Sequence, residues 1–411
     1  MPAIPLTAGL VSPYPGPASL LLGFLLAAGC TAVLSLLVLR ACVRVGILDQ
    51  PAMGRVHNRP VPRLGGIAIF VSFFTISLLL FRPDSPWEGR VYLGLILAAI
   101  LVVGVMAWDD IYGLPPLFRL AVQTVAAGIA MYPGGHATLI QVLNNPLISA
   151  HNGQTMLPLW VAIPFTWFWI TGMMNTINWV DGLDGLAGGV VTIAAIVMAA
   201  VSWLLGQHSA ALLCAILAGA TLGFLPWNWH PARLFMGDSG AMFLGLALAV
   251  LSNVGGAKLA TMLLLLGVPI LDAARVIVRR VRKGRSPLHW DRSHLHHRLL
   301  AGGLTQRQIA LLFYLVTALF GSITILSAYL QTRIQTWSWR SPLVPGIVIG
   351  LDALATVTGL VLVAVVSLAI WRVSRVRRVR AGVPPGDSSS VLPRPPHVRD
   401  PVVSSGGHRK P

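Results

Sequence analysis

Long apolar runs separated by short polar stretches recur along the whole chain. Eleven runs are candidate membrane crossings: 18–39, 65–82, 91–108, 117–132, 157–177, 188–205, 210–226, 240–255, 259–279, 308–330 and 344–371. A helix needs roughly 17–25 apolar residues to cross a bilayer, so the pattern predicts an all-α, polytopic integral membrane protein with ten or eleven transmembrane helices. Isolated breakers inside the runs, Pro164, Gly172, Gly219 and Pro269, are tolerated in membrane helices. The first run is too long for the core of a cleaved leader and has no basic residue before it, so it is read as a span. Three regions follow: a short extracytoplasmic segment 1–17, a multi-span domain 18–371, and a tail 372–411 rich in Arg, Pro, Ser and Gly. Its composition predicts disorder for the tail.

The polar stretches assign sides. With the N-terminus outside and the C-terminus in the cytoplasm, 25 of the 30 lysines and arginines fall on the inside. That bias follows the positive-inside rule. It also accounts for most of the net charge of +17. The cations then face the cytoplasm and anionic headgroups, and nucleic acid is not an expected partner. Composition agrees with a membrane protein: 55% hydrophobic and 10% charged residues, with mean hydropathy +0.75. Cys30, Cys42 and Cys214 lie in or beside apolar runs, with spacings that fit neither a disulfide framework nor a zinc site.

Acidic residues are scarce, and Glu88 is the single glutamate. Five of the twelve aspartates sit in three motifs: AWDDIYGL (107–114), NTINWVDGLDGL (175–186) and FMGDSGAMFLG (235–245). With the topology above, all three motifs lie at cytoplasmic ends of spans. So do RVHNRPVPRLGG (55–66) and the His-rich SPLHWDRSHLHHRLL (286–300). A lone aspartate at a helix end is often a cap or a solvated group. Five polar motifs converging on one face point to a site. Clustered Asp and Asn oxygens suit Mg²⁺, with Mn²⁺ as a substitute. Histidines among arginines suit anionic oxygens, and the neighbouring glycines let backbone approach a ligand. Phosphoryl transfer involving a lipid is the chemistry this set suggests. No Walker A motif and no kinase signature is present.

The motifs NTINWVDGLDGL, MGDSG and HLHH resemble the polyprenyl-phosphate N-acetylhexosamine-1-phosphate transferases. The resemblance extends over roughly residues 45–310. Leu295 interrupts the histidines, as in the branch that uses UDP-GlcNAc and unlike the muramoyl-pentapeptide branch. The resemblance implies transfer of GlcNAc 1-phosphate from UDP-GlcNAc to a polyprenyl phosphate, releasing UMP, with Mg²⁺, at the cytoplasmic face of a bacterial inner membrane. It implies Asp238 and Asn178 as metal ligands, and Asp109 and Asp110 beside the lipid phosphate. It places Asp181 and Asp184 around the metal and nucleotide. Asn228 and Phe235 would meet the uracil, and Asn175 the bound substrates. His294, His296 and His297, with Arg292 and Arg298, would grip the diphosphate and sugar, and Arg63 an anionic phosphate. A homodimer is compatible with this reading, and membrane lipids are the expected surroundings.

Other residues receive structural readings. Asp272 is expected to form an intrahelical ion pair with Arg275 and Arg279. Trp160, Trp167, Trp169, Trp227 and Trp229 are expected to be interfacial anchors. An ion-coupled transporter would instead need its acids near the bilayer midplane and inverted repeats, and a lipid-binding scaffold would tolerate Asp238→Asn.

Overall fold

A computed structural model of the chain describes residues 16–50, 59–83, 85–144, 154–253, 258–284, 286, 293–338, 359, 361–362 and 364–373. The helices are α1 (Pro17–Val45), α2 (Gly65–Leu80), α3 (Pro86–Tyr112), α4 (Pro116–Met131), α5 (Leu159–Val180), α6 (Leu186–Leu204), α7 (His208–Asn228), α8 (Gly237–Asn253), α9 (Lys258–Leu265), α10 (Gly267–Arg282), α11 (Leu295–Ala301) and α12 (Gln306–Ser338). A further short apolar helix, α13, runs Ala364–Val373. The all-helical expectation needs one correction. Between α4 and α5, strands β1 (Val142–Asn144) and β2 (Gln154–Met156) pair antiparallel in a small ribbon.

The first eight apolar runs each become one helix. The ninth does not. It breaks into α9 and α10, which are bent by 78°. Pro269 sits in the first turn of α10, where the ring is tolerated; one turn further into a continuous helix it would remove a backbone donor and clash with the preceding carbonyl. The run therefore restarts as a new helix. α10 is amphipathic, with Leu271, Val278 and Val281 exposed and arginines at 279, 280 and 282 in its last turn. The run 344–371 lies mostly outside the described residues, which take in only its end as α13. Most of the tail lies outside them as well.

By length and apolarity, five of the described helices could cross a membrane: α1, α3, α6, α7 and the Gln306–Leu330 part of α12. The bent α9–α10 pair would make six. α2 and α4 have 16 residues each, short of the roughly 20 that a straight crossing takes. The protein is an integral membrane protein with a closely packed interior. α8 is its axis: every residue from Gly237 to Ser252 is buried. α5, α3 and α2 pack along it, while α6 and α7 pack on each other. α1 is peripheral and presents Leu21, Leu25, Val33 and Leu37 outward.

Between helices the few polar groups find one another, as they must without water. Thr192 Oγ1 donates to Thr221 Oγ1 at 3.0 Å, and Ser72 Oγ to the Ala27 carbonyl at 2.9 Å. Trp169 corrects the reading of it as an interfacial anchor. It is buried, and its indole N–H donates to Ser252 Oγ at 3.1 Å. Trp160, by contrast, is exposed at the start of α5.

Candidate active site

The three aspartate motifs meet at one end of the bundle. Asp109 and Asp110 come from the last turn of α3, Asp181 from the end of α5, and Asp238 from the first turn of α8. α8 is not capped from its own sequence. Asp110, 128 residues earlier in the chain, accepts the Asp238 backbone N–H at 2.8 Å, the Ser239 N–H at 3.1 Å and the Ser239 hydroxyl at 2.8 Å. Helix starts leave such donors unpaired, and a carboxylate there also suits the helix dipole. The approach is close enough that only glycine fits at 237: its φ is +74°, and a Cβ there would lie 2.4 Å from Asp110 Oδ2.

Two arginines stitch the carboxylates together. Arg63 Nε lies 3.2 Å from Asp110 Oδ1, and its Nη2 lies 3.0 Å from Asp238 Oδ1. Arg119 Nη1 lies 2.7 Å from Asp238 Oδ2, and its Nε lies 3.3 Å from Asp109 Oδ2. Both arginine side chains keep about a third of their surface exposed (34% and 32%), whereas the Asp110 and Asp109 side chains are shut in at 0% and 3%. Arg63 is itself held in place by its backbone. The 61–66 stretch pairs with the chain entering α8, where Phe235 N–H donates to the Pro62 carbonyl and Gly65 and Gly66 donate to Phe235 and Met236. Burial works against the charge on Arg63. Asp238 and Asp110 outweigh it and hold the guanidinium protonated more firmly than usual.

Asp181 lies at the turn between α5 and α6. Burial, opposed by Arg63 and reinforced by Asp238, Asp110 and Asp184, pushes its carboxyl up to about 7. The turn is pinned from four directions. Asp184 N–H donates to Gln306 Oε1 at 3.1 Å, Gly185 N–H to Asn228 Oδ1 at 3.0 Å, and Tyr314 Oη to the Gly185 carbonyl. Asp184 Oδ2 in turn takes His230 Nδ1 at 2.7 Å and the Ala232 N–H at 3.0 Å.

The histidine-bearing helix α11 closes the other side of that turn. Asp272 of α10 accepts the Leu295 N–H at 2.9 Å and faces His294 Nδ1 at 3.0 Å. It thereby caps α11 and orients the first histidine. The ion pair expected between Asp272 and Arg275 exists, but at 3.8 Å it is the longer contact. The rings of His294 and His296 are stacked at 5.8 Å. His296 is buried and its Nε2 has no hydrogen-bond partner. That nitrogen lies against Gly182: a Cβ at 182 would be 2.4 Å from it. Burial, and then His297 and His294, hold the His296 imidazole neutral well into the acid range.

Glycosyl transferase family 4 describes a family model that matches residues 92–256. The chain is 32% identical, over 338 residues, to the probable undecaprenyl-phosphate N-acetylglucosaminyl 1-phosphate transferase of Bacillus subtilis (strain 168), covering 80% of this chain and 89% of that one. The chain belongs to glycosyl transferase family 4. It is also 36% identical, over 302 residues, to the decaprenyl-phosphate N-acetylglucosaminephosphotransferase of Mycolicibacterium smegmatis, covering 66% of this chain and 73% of the relative. A relative from Salmonella typhi, an undecaprenyl-phosphate alpha-N-acetylglucosaminyl 1-phosphate transferase, is 28% identical over 314 residues, 73% of this chain and 81% of its own. Within the family the chain falls in the N-acetylglucosamine 1-phosphate branch, to which the interrupted histidines pointed. The region matched to glycosyl transferase family 4 contains all five clustered aspartates; Arg63 and α11 lie outside it.

Not every residue singled out in this family 4 sequence reaches the cluster. Asn178 does: its side chain lies beside the Asp238 carboxylate and favours its charged form. Asn175, one turn earlier, turns into the bundle instead. Its Nδ2 donates to Gln123 Oε1 at 2.6 Å and to the Thr171 carbonyl at 2.8 Å. Asn228 is buried with both ends of its amide engaged by backbone, at Gly185 N–H and the Leu234 carbonyl, and its role is to hold the turn. Phe235 is half-buried beside Arg63. His297 packs on His296 at 4.3 Å. Arg298 is buried with its guanidinium over the Trp371 ring, and Arg292 lies outside the described residues. Arg119 was missed as a site residue. Its only sequence signal was a cation ten residues after Asp109.

The donor chemistry suits a divalent cation. Four carboxylates (Asp109, Asp110, Asp181 and Asp238) face two guanidiniums (Arg63 and Arg119), which leaves two negative charges uncompensated when all are ionised. Arg119 is the positive group shared by the Asp109 and Asp238 carboxylates, and like charges this near each other favour a further positive charge. Every donor is a hard oxygen, as Mg²⁺ prefers. Among the described residues no three His, Cys, Asp or Glu side chains already stand in chelating position. The arginines hold Asp238 on both oxygens, and a cation would take over from one of them.

Proposed function

We propose that this protein transfers N-acetylglucosamine 1-phosphate from UDP-GlcNAc to a membrane polyprenyl phosphate, undecaprenyl or decaprenyl. The products are polyprenyl-diphospho-N-acetylglucosamine and UMP, and the reaction is the first membrane step of a cell-envelope polysaccharide. The observation that carries the reading is the convergence of Asp109, Asp110, Asp181 and Asp238 from three elements on Arg63 and Arg119, with the unpaired His296 Nε2 alongside. The named activities of the relatives support it. We read the chain as crossing a bacterial inner membrane ten or eleven times, N-terminus outside, with this site at the cytoplasmic surface.

In the reaction an oxygen of the prenyl phosphate attacks the β-phosphorus of the donor, the new P–O bond forms, and the bond to UMP breaks. The acceptor phosphate is largely ionised near neutral pH, so catalysis rests on positioning and charge neutralisation. Asp238, Asn178 and Asp181 are the residues that would hold Mg²⁺, which would neutralise phosphate oxygens in the transition state. Arg63 and Arg119 exchange part of their carboxylate contacts for phosphate oxygens, which guanidinium binds well. Asp109, buried against Arg119 Nε, orients that guanidinium toward the acceptor. Asp110 does not touch substrate; it fixes the start of α8. His296, kept neutral, offers its ring nitrogen to the donor's diphosphate–sugar portion.

The test gives membranes containing the protein labelled UDP-GlcNAc, UDP-GalNAc and UDP-MurNAc-pentapeptide in parallel, and measures UMP release and lipid-extractable label. Label from UDP-GlcNAc alone is expected. Label chiefly from another donor would move the reading to that sugar, and none from any donor would end the transferase reading.

A further inference from the structure

Trp371 lies in the last turn of α13, and two arginines from different elements pack on its indole. The guanidinium carbon of Arg275 on α10 lies 5.0 Å from the ring centroid, and that of Arg298 on α11 lies 5.1 Å from it. Both distances are within cation–π range. Neither arginine is a surface ornament. Arg298 is 5% exposed. It follows His294 and His296 in the same short helix, and its backbone N–H donates to the His294 carbonyl at 3.1 Å. Arg275 is three residues from Asp272, the residue that caps α11 and meets His294 at 3.0 Å. The indole therefore meets both elements whose junction sets the histidines. α11 has only seven residues, too few to be stable as an isolated helix, so its position depends on what packs around it.

We propose that Trp371 is a positioning residue for the transfer reaction: it braces α11 against α10 and so holds His294 and His296 at the Asp181 turn. This rests on the reading of α11 as the element that meets the donor. A residue near the end of the last helix, far in sequence from every aspartate motif, would then tune donor use. A shift of about 1 Å in such a group is enough to lower turnover substantially.

The experiment measures steady-state kinetics of the purified full-length enzyme with UDP-GlcNAc and a polyprenyl phosphate, for Trp371→Leu, Trp371→Phe, His294→Ala and His296→Ala. Leucine keeps an apolar side chain and loses the ring; phenylalanine keeps a ring. The expected result for Trp371→Leu is a donor KM raised about fivefold or more and kcat lowered about tenfold, with acceptor KM unchanged. Trp371→Phe should stay within about twofold of the parent. A merely structural loss would lower kcat with both KM values constant, and that outcome overturns the proposal, as does equality of the leucine and phenylalanine variants. If the histidine variants match the parent, the reading of α11 itself is at fault and the brace falls with it. If they lose activity while Trp371→Leu does not, only the brace is wrong. Should Trp371→Leu fail to accumulate, Arg275→Lys weakens one side of the clasp and carries the same test with the same two outcomes.

Discussion

Asp238 is the residue on which the cluster turns, since both its carboxylate oxygens and the first turn of α8 converge there. Asp238→Asn keeps the shape and removes the charge. Its kcat/KM is expected to fall about 100-fold or more, the scale of removing one preorganised electrostatic group, as read from UMP release. Asp181 supplies a pH prediction. Its carboxyl is pushed up to about 7 by burial and neighbouring carboxylates, so protons compete with the cation below that value. The Mg²⁺ concentration for half-maximal activity is expected to rise roughly fivefold from pH 7 to pH 6, and Asp181→Asn should abolish that dependence. The stability sign is the reverse. The folded chain keeps a proton that the unfolded chain, with a carboxyl near 3.9, has lost. Without metal, the contribution of Asp181 is fully present below about pH 4 and is lost as pH rises through about 7. At this scale the sequence identified the acids well, because few carboxylates occur in so apolar a chain. It could not tell which amides were engaged. Asn175 and Asn228 looked like the others, and their partners Gln123 and Gly185 stand 52 and 43 residues away.

α8 and α11 share one device: each starts on a carboxylate supplied by another helix, Asp110 for α8 and Asp272 for α11. Such caps tie the placement of the element to that of its neighbour. Loss of one cap typically costs about 1 kcal/mol, and breaking a buried ion pair costs more. Asp110→Ala removes both, so a clear drop in the thermal midpoint of purified protein is expected, with faster amide exchange at Asp238 and Ser239. Gly182→Ala separates placement from folding. The new Cβ would lie 2.4 Å from His296 Nε2, so α11 must shift. Activity is expected to fall about tenfold or more while the thermal midpoint changes little. An alanine variant with parent activity would show that the histidines are not used where they stand. Element positions were largely legible from apolar run lengths. The break between α9 and α10 was not, because proline is tolerated in membrane helices and only the packing around Pro269 decides between a kink and a new helix.

The molecule as a whole brings together motifs that span residues 63 to 298 by stacking their helices so that the polar ends coincide. The lysine and arginine bias predicts the side, and the motifs gave the end. What the sequence left open was distance: it placed the acids at helix ends, and the structure shows Asp109, Asp110, Asp181 and Asp238 gathered around Arg63 and Arg119. The most direct measurement is transfer of labelled GlcNAc 1-phosphate into extractable lipid by purified enzyme, with chelator and with added Mg²⁺, for the parent and Asp238→Asn. The expected result is label in the parent that disappears with chelator and returns with Mg²⁺, and almost none in Asp238→Asn under any condition. Undiminished label in chelator, or parent-like label in Asp238→Asn, would contradict a cation held by this cluster.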